Sequence, residues 1–455
     1  MLKNWMKAIL LLLLMLAIII GAVLAKSPLS LHYWWQHPKA AFLLNQGRNP
    51  QVVALKYPPV EPLSAMALLG RKLFYDASLS GSGRLSCASC HNPEHAYAPA
   101  NILSVQLGGS DMHQMGVRAV PSLTYLYRQP NFSIGPDNPV NEDTNLLEAA
   151  ELAETHSLAP KQAIGKSRLV PQGGLFWDGR VDTLQQQAGG PLFNPLEMAA
   201  GSKAEVFAKL QQAPYAKDFV QLVGPAVFHD PELAVQEALF AIARYQIEDA
   251  SFHPFSSKFD AWLQGKARFT RAELRGYLAF NDPNKGNCAV CHLDKPTRDG
   301  LPPLFTDTQY EALGVPRNPA IPANQNPHYV DLGLCGPYRT DLETQMQYCG
   351  MFLTPTLRNA ATRHAFFHNG YYHTLGQVLD FYRFRDVAPQ KIYPVVHGKV
   401  QRFDDLPLVY QKNVDTQDAP FGGKIGDTPR LSKKDKQDII AFLHTLTDGY
   451  MGTSR

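Results

Sequence analysis

The sequence has no excess of charge of one sign. Its 455 residues include 43 lysines and arginines against 40 acidic residues, with both signs interspersed. A nucleic-acid partner is not indicated, because binding a polyanion needs a concentrated positive surface. Cysteine is scarce, with six in the chain, so the position of each one is informative. The length allows two or three domains, each able to bury a core.

Four of the six cysteines lie in two copies of the pattern C-x-x-C-H, at 87–91 and 288–292. Two thiols one helical turn apart can bond the vinyl groups of one porphyrin, and the following histidine can reach its iron. A zinc site would need four converging ligands, whereas these clusters are far apart and each ends in its own histidine. The pair predicts two covalent c-type haems and a redox protein. The predicted attachment and ligand residues are Cys87, Cys90, His91, Cys288, Cys291 and His292.

Residues 1–26 have the composition of an export segment. Lys3 and Lys7 precede an apolar run at 8–25 that ends like a cleavage site. The run is long for a signal peptide and barely long enough to span a bilayer, so a cleaved signal and an inner-membrane anchor both fit. Either predicts a periplasmic protein.

The remaining cysteines, Cys335 and Cys349, are predicted to form a disulfide, because disulfides persist outside the cytoplasm. It would close a short loop and stabilise the fold by about 3 kcal/mol. A reactive thiol pair is the alternative.

The chain is organised as two similar halves. A helical pattern of leucine and aromatic residues precedes each haem motif, at 68–76 and 274–282. An amphipathic helix closes each half, the first starting after Asp230 and the second after Ser432. The core residues assigned to these helices are Leu233, Leu239, Phe240, Ile242 and Ala243, then Ile439, Ile440, Phe442, Leu443 and Leu446.

These patterns divide the chain into four parts. They are the export segment at 1–26, a linker or arm at 27–62, an N-terminal haem domain at 63–252 and a C-terminal haem domain at 253–455. Two long polar stretches, at 131–174 (with a short helical piece at 146–152) and 294–350, show little periodicity. Loops of this length are usually functional covers or partner surfaces.

Further motifs follow the first haem site. The sequence has F-W-D-G-R at 176–180, a Q-x-x-G-P-x-x-N-P-x-E-M run at 187–198, T-P-T-L-R-N at 354–359 and H-N-G at 368–370. Together with the haem motifs, they resemble the bacterial di-haem cytochrome c peroxidase family and its MauG-like members. The resemblance covers about residues 60–450. It implies an all-α fold of two cytochrome c-like haem domains with long irregular loops.

The resemblance also implies roles for four residues at the first haem. Glu197 corresponds to the glutamate that moves a proton between the peroxide oxygens during O–O cleavage. Gln187 and Pro191 correspond to pocket residues, the glutamine being able to hydrogen-bond the oxidant. Trp177 corresponds to the tryptophan between the haems, placed for electron transfer. Taken alone, Trp177 would be assigned to the core and Glu197 to a solvated surface.

Two departures from the simple peroxidase pattern stand out. Leu107 occupies the position of a histidine that caps the resting peroxide-binding haem, so we expect an open site, with His113 as an alternative ligand. Tyr382 occupies the position of the methionine ligand of the second haem, as in MauG-like members. A tyrosinate ligand favours oxidised iron. If Tyr382 is instead a packed aromatic, Met351 or Met346 is the fallback ligand.

The family also holds a calcium ion between its domains, partly through an asparagine after the arginine of an R-N-x-P run. Here that run is R-A-V-P at 118–121, so the side-chain ligand is missing. The other ligands are backbone carbonyls, which correspond to positions near Arg363 and Ala365. The resemblance thus implies a calcium site that lacks one of its ligands.

The resemblance implies an enzyme that reacts with hydrogen peroxide at the N-terminal haem and exchanges electrons through the C-terminal haem. The donor is a small redox protein such as a cytochrome, or the side chains of a substrate protein that are oxidised in turn. The Leu107 and Tyr382 departures favour the second form. The alternative from another class is a di-haem electron carrier without catalysis.

Overall fold

The computed structural model describes residues 27–136 and 169–452. The predicted export segment and the predicted helical piece at 146–152 lie outside these residues. Helices make up most of the regular secondary structure of the described part, and long irregular segments connect them. None of the helices described is both long and apolar enough to cross a membrane.

The described α-helices are α1 (Leu31–Gln36), α2 (Pro38–Asn45), α3 (Ala65–Phe74), α4 (Cys87–Cys90), α5 (Leu184–Phe193), α6 (Lys203–Gln212), α7 (Ala216–Val223), α8 (Pro231–Glu248), α9 (Lys258–Leu263), α10 (Arg271–Asn281), α11 (Leu375–Phe384) and α12 (Lys433–His444). Short strands pair into antiparallel two-stranded sheets: β1 (Leu107–Gly108) with β2 (Gln114–Met115), β3 (Ser133–Pro136) with β4 (Leu169–Gln172), β5 (Tyr310–Glu311) with β6 (Phe352–Leu353) and β7 (Val395–Val396) with β8 (Lys399–Val400). The predicted helical class is confirmed, since the described strands are few and short.

In each half, the helix before the haem motif packs against the helix that closes the half: α3 on α8, and α10 on α12. A glycine lies at each crossing. A Cβ atom on Gly70 would lie 1.8 Å from the carbonyl oxygen of Ala241, and one on Gly276 would lie 1.9 Å from that of Asp438. Only glycine allows the two backbones to approach so closely. The repeated sequence pattern therefore corresponds to a repeated helix crossing.

Both closing helices start where the sequence predicts. The Asp230 side chain accepts the N–H of Glu232 at the start of α8, and Ser432 and Asp435 form a capping box at the start of α12. The assignment of Phe240 to the core is wrong, since 39% of it is exposed. One residue turns the helix by about 100°, which moves Phe240 away from the face that buries Leu239.

The buried apolar residues form separate clusters. The largest lies within residues 69–252 and surrounds the crossing of α3 and α8. A second surrounds the crossing of α10 and α12 and lies mostly within residues 259–446. It also includes Leu44 and Leu55, so the segment predicted as a linker or arm packs against the C-terminal half.

Candidate functional site

Both C-x-x-C-H motifs fold into one tight turn. The first is α4, which Ser86 and Ser89 close as a capping box, and the second begins with the 3-10 turn Cys288–Val290. In each turn the histidine N–H donates to the carbonyl of the first cysteine, at 2.9 Å for His91 and 2.8 Å for His292. The four cysteines of the motifs are free thiols. They are therefore available for attachment to a porphyrin.

Each motif histidine is oriented by a backbone carbonyl. Nδ1 of His91 lies 3.0 Å from the carbonyl oxygen of Tyr97, and Nδ1 of His292 lies 2.9 Å from that of Phe305. Burial lowers the pKa of both rings to about 4, so both are neutral at physiological pH. A neutral imidazole with its Nδ1–H engaged leaves Nε2 as a metal ligand.

Two cavities open beside the motifs in the described part of the chain. The first contains His91 in its wall and has about 1150 Å³ free of protein atoms, including its open mouth. The second contains His292 and has about 1620 Å³ on the same measure. Trp177 lines both cavities. Paired thiols, a neutral imidazole and an adjoining cavity form a donor set that fits one haem on each side of Trp177.

The first cavity also brings together Gln187, Pro191 and Glu197. Helix α5 carries the first two, and Glu197 follows its end, where Oε1 accepts a 2.7 Å hydrogen bond from Asn194. The Glu197 side chain is accessible from the cavity. The surrounding protein nevertheless desolvates the carboxyl and raises its pKa, and this effect outweighs the positive charge of Arg180, which lowers the pKa. This is the environment of a carboxyl that can take up and release a proton.

Leu107 lies in the wall of the same cavity. It belongs to β1, which pairs with β2 in a hairpin, and the hairpin is held to the Glu197 segment by a 2.8 Å bond from Gly109 N–H to the Glu197 carbonyl. His113 is exposed and is not among the residues lining the cavity. Leu107 therefore supplies an apolar surface beside Glu197 and offers no ligand atom.

The F-W-D-G-R motif forms the wall between the cavities. The Trp177 indole N–H donates to the carbonyl of Ala119 at 2.8 Å. Asp178 is fully buried and forms salt bridges with Arg118 at 2.6 Å and Arg180 at 2.9 Å. The Arg180 guanidinium also stacks over the Phe176 ring, 3.6 Å from its centroid. The motif thus fixes Trp177 by anchoring the residues on both sides of it.

Arg118 ties this motif to the second half of the chain. Besides Asp178, it binds Asp331 at 2.7 Å, and Asp331 lines the second cavity while Arg118 lines the first. From the sequence alone, Arg118 was named only as the first residue of the R-A-V-P run at 118–121 and was assigned no role. A buried cation between two buried carboxylates is a bridge whose loss leaves uncompensated charges.

Replacing Arg118 with glutamine should therefore destabilise the protein strongly. We expect the free energy of unfolding to fall by about 3–5 kcal/mol, as measured by denaturant unfolding of the haem-loaded protein. Lys203→Gln is the matched control, because Lys203 pairs with Glu232 at the exposed surface and should leave stability nearly unchanged. Equal stability of the two variants would contradict the bridging role of Arg118.

The loop closed by Cys335 and Cys349 reaches the wall of the first cavity. The predicted disulfide is confirmed. Within this loop, Tyr338 lines the first cavity, with its ring centroid 5.0 Å from the Arg118 guanidinium and 5.4 Å from that of Arg180. Sequence reasoning missed Tyr338 because no motif contains it. The only signal was its position inside the predicted disulfide loop.

In the second cavity, Tyr382 lies in the wall with His292. Helix α11 carries it, and its ring stacks on Phe421 with 5.3 Å between centroids. Burial raises the pKa of the Tyr382 phenol. Neither Met351 nor Met346 is among the residues that line this cavity. Tyr382 is thus better placed than either methionine to face an iron held by His292.

His368 of the H-N-G motif also lines the second cavity. Its ring stacks on Phe352, with 3.5 Å between centroids, and its buried Nε2 has no hydrogen-bond partner. Nε2 lies 3.7 Å from Oδ2 of Asp405, which lines the same cavity, a distance too long for a hydrogen bond. The H-N-G motif thus contributes a buried imidazole beside a carboxylate to the wall of the second cavity.

Two thiol-and-imidazole cavities that share one tryptophan wall define a protein built to hold two haems. The family described as di-haem cytochrome c peroxidase matches residues 64–268. Its curated relatives match over a much longer part of the chain. The chain belongs to the di-haem cytochrome c peroxidase family, and it is an oxidoreductase whose family carries out peroxide-dependent oxidation with c-type haems.

The methylamine utilization protein MauG of Paracoccus denitrificans (strain Pd 1222) is 34% identical over 84% of this chain and 89% of its own length. Cytochrome c551 peroxidase of Nitrosomonas europaea is 30% identical over 71% of this chain and 76% of its own. The crystal structure of the diheme peroxidase BthA from Burkholderia thailandensis E264 superimposes with a TM-score of 0.73 at 34% identity, covering 89% of this chain and 92% of that one. The relatives therefore include both MauG and peroxidases.

Proposed function

We propose that this protein is a periplasmic peroxidase that reduces hydrogen peroxide at a haem attached to Cys87 and Cys90 and ligated by His91. A second haem, attached to Cys288 and Cys291, would pass electrons to the first. When bound, the haems supply the redox chemistry, in which two electrons and two protons convert one peroxide to two waters. The chain supplies the two haem sites and the carboxyl that transfers the proton, and it lines the two sites with different residues.

One observation carries this proposal, namely the asymmetry of the two cavities. Gln187, Pro191 and Glu197 line only the first cavity, and Tyr382 lines only the second. In the first cavity, Gln187 therefore offers an amide to hold peroxide, and Glu197 offers a carboxyl with a raised pKa to move its proton. The second offers a phenol oxygen as a candidate second ligand to the iron that His292 holds.

Trp177 supports electron transfer between the sites. Its ring is buried, lines both cavities and is held by the 2.8 Å bond to Ala119. An oxidisable ring fixed between two redox groups shortens each transfer step. Leu107, which supplies no ligand, favours a site that reacts without prior reduction.

The proposed periplasmic location agrees with the disulfide between Cys335 and Cys349, because such bonds form and persist outside the cytoplasm. The same compartment suits a small redox protein as electron donor or a substrate protein whose side chains are oxidised. The two helix crossings, each surrounded by its own buried cluster, support a division into two cytochrome c-like domains near residues 250–265.

Adding one equivalent of hydrogen peroxide to the fully oxidised protein, with visible spectra recorded over time, tests the proposal. We expect an immediate change in the haem spectra, followed by recovery when a reduced small cytochrome is added. A long-lived oxidised state that this cytochrome fails to discharge would favour oxidation of a substrate protein. The absence of any reaction with peroxide, before or after partial reduction, would instead identify an electron carrier.

A further inference from the structure

The side chain of Arg363 crosses the junction between segments 118–121 and 363–368. Its Nη2 lies 3.0 Å from the carbonyl oxygen of Val120 and 3.4 Å from that of Ala365. Burial lowers its pKa to about 10, and no charged group contributes to that shift. The guanidinium is still positive at neutral pH, and its acceptors here are backbone carbonyls.

A calcium ion, which the family resemblance implies for this junction, does not fit the residues present. Calcium takes about six to eight oxygen ligands. Ala119 has no side-chain oxygen, and its carbonyl already accepts the Trp177 indole. The carbonyls of Val120 and Ala365 accept the Arg363 guanidinium. In the described ranges, no cluster of three or more histidine, cysteine or acidic side chains is arranged to hold a metal ion.

We propose that the guanidinium of Arg363 is itself the cation of this junction, so that the two halves of the chain are held together without calcium. A guanidinium has five N–H donors in one plane and stays charged in proteins. It therefore satisfies carbonyls from both segments, as a bound ion would. Unlike a bound ion, it does not dissociate, so the junction is independent of the calcium concentration.

The same guanidinium places a fixed positive charge near the first haem site. It lies 3.0 Å from the carbonyl oxygen of Val120, and Val120 lines the first cavity together with His91. A nearby positive charge favours the form of a redox centre that carries one more electron. Arg363 is thus a positioning residue with an electrostatic effect, and removing it should lower the reduction potential of the haem at His91.

The first test uses the unmodified haem-loaded protein. We expect less than one tenth of an equivalent of calcium per chain by elemental analysis, and an unchanged melting temperature and haem spectrum after treatment with the chelator EGTA. One equivalent of calcium whose removal lowers the melting temperature would overturn the inference. This test does not depend on the proposed peroxide chemistry, because neither readout involves turnover.

The second test compares Arg363→Ala with Arg363→Lys. The alanine variant should melt roughly 5 °C lower and show a lowered reduction potential for the haem at His91 in a spectroscopic titration. Lysine keeps the charge and should restore much of that potential. An alanine variant with both properties unchanged would overturn the inference. If the alanine variant does not fold, the chelation experiment and the lysine variant still decide it.

Discussion

Replacing Glu197 with glutamine is expected to slow the reaction with hydrogen peroxide by about 10²–10⁴-fold, with both haems still bound. The glutamine keeps the size of the side chain and can still bind Asn194, but it cannot take up a proton. The change should therefore appear in the rate and not in haem content or stability. Stopped-flow mixing of oxidised protein with peroxide measures it directly.

The pH profile gives an independent check on Glu197. Desolvation by the surrounding protein raises its pKa above the ordinary value of 4.5, and the carboxyl accepts a proton only when it is ionised. The rate should therefore fall as the pH drops through this raised pKa, with an inflection above pH 4.5 that the glutamine variant lacks. Glu94→Gln is the matched control, because Glu94 lies three residues after His91 but outside the cavity wall. A Glu94 variant as slow as the Glu197 variant would contradict the assignment.

Replacing Tyr382 with methionine should raise the reduction potential of the haem at His292 by on the order of 100 mV or more, since axial ligands set haem potentials over a range of about 0.8 V. An anionic phenolate stabilises oxidised iron, whereas a thioether favours reduced iron. The other haem should keep its potential, because Tyr382 lines only the second cavity. A spectroelectrochemical titration resolves the two.

Two further variants separate ligation from packing at Tyr382. Tyr382→Phe keeps the stacking on Phe421 but removes the oxygen, so it should change the spectrum of one haem. Tyr371→Phe removes a hydroxyl from a tyrosine that packs against the same apolar cluster but does not line the cavity, and its spectrum should match that of the unmodified protein. Matching spectra for all three proteins would show that Tyr382 is a packing residue.

Local sequence patterns predicted the features that depend on neighbouring residues. The start of α8 after Asp230 and that of α12 after Ser432 follow from capping chemistry within one helical turn. The repeated pattern at 68–76 and 274–282 predicted two similar helices, although the reason for its glycines became clear only at the crossings. Phe240 was wrongly assigned because hydrophobicity alone does not say which side of a helix finds a partner.

Features that depend on contacts between distant segments were not predicted. Tyr338 reaches the first cavity from a loop more than a hundred residues beyond the F-W-D-G-R motif, and no periodicity reports such a contact. Arg363 was noted only as a backbone position, and its side chain turned out to occupy the junction itself. The resemblance identified the residues that occur at the family's characteristic spacing. The structure was needed to find a residue such as Arg363, whose side chain takes the place of a feature of the family.

The disulfide loop at 335–349 has a consequence for how the protein is made. Its Arg339 donates to the carbonyls of Asp178 and Gly179, at 3.1 and 2.9 Å, and its Tyr338 lines the first cavity. Part of the wall of this cavity therefore belongs to the later half of the chain. A chain that is synthesised from its N-terminus completes the first C-x-x-C-H motif well before this part of the wall exists. The first cavity can thus reach its final shape only after the second half has been made and the disulfide loop has folded onto the F-W-D-G-R motif.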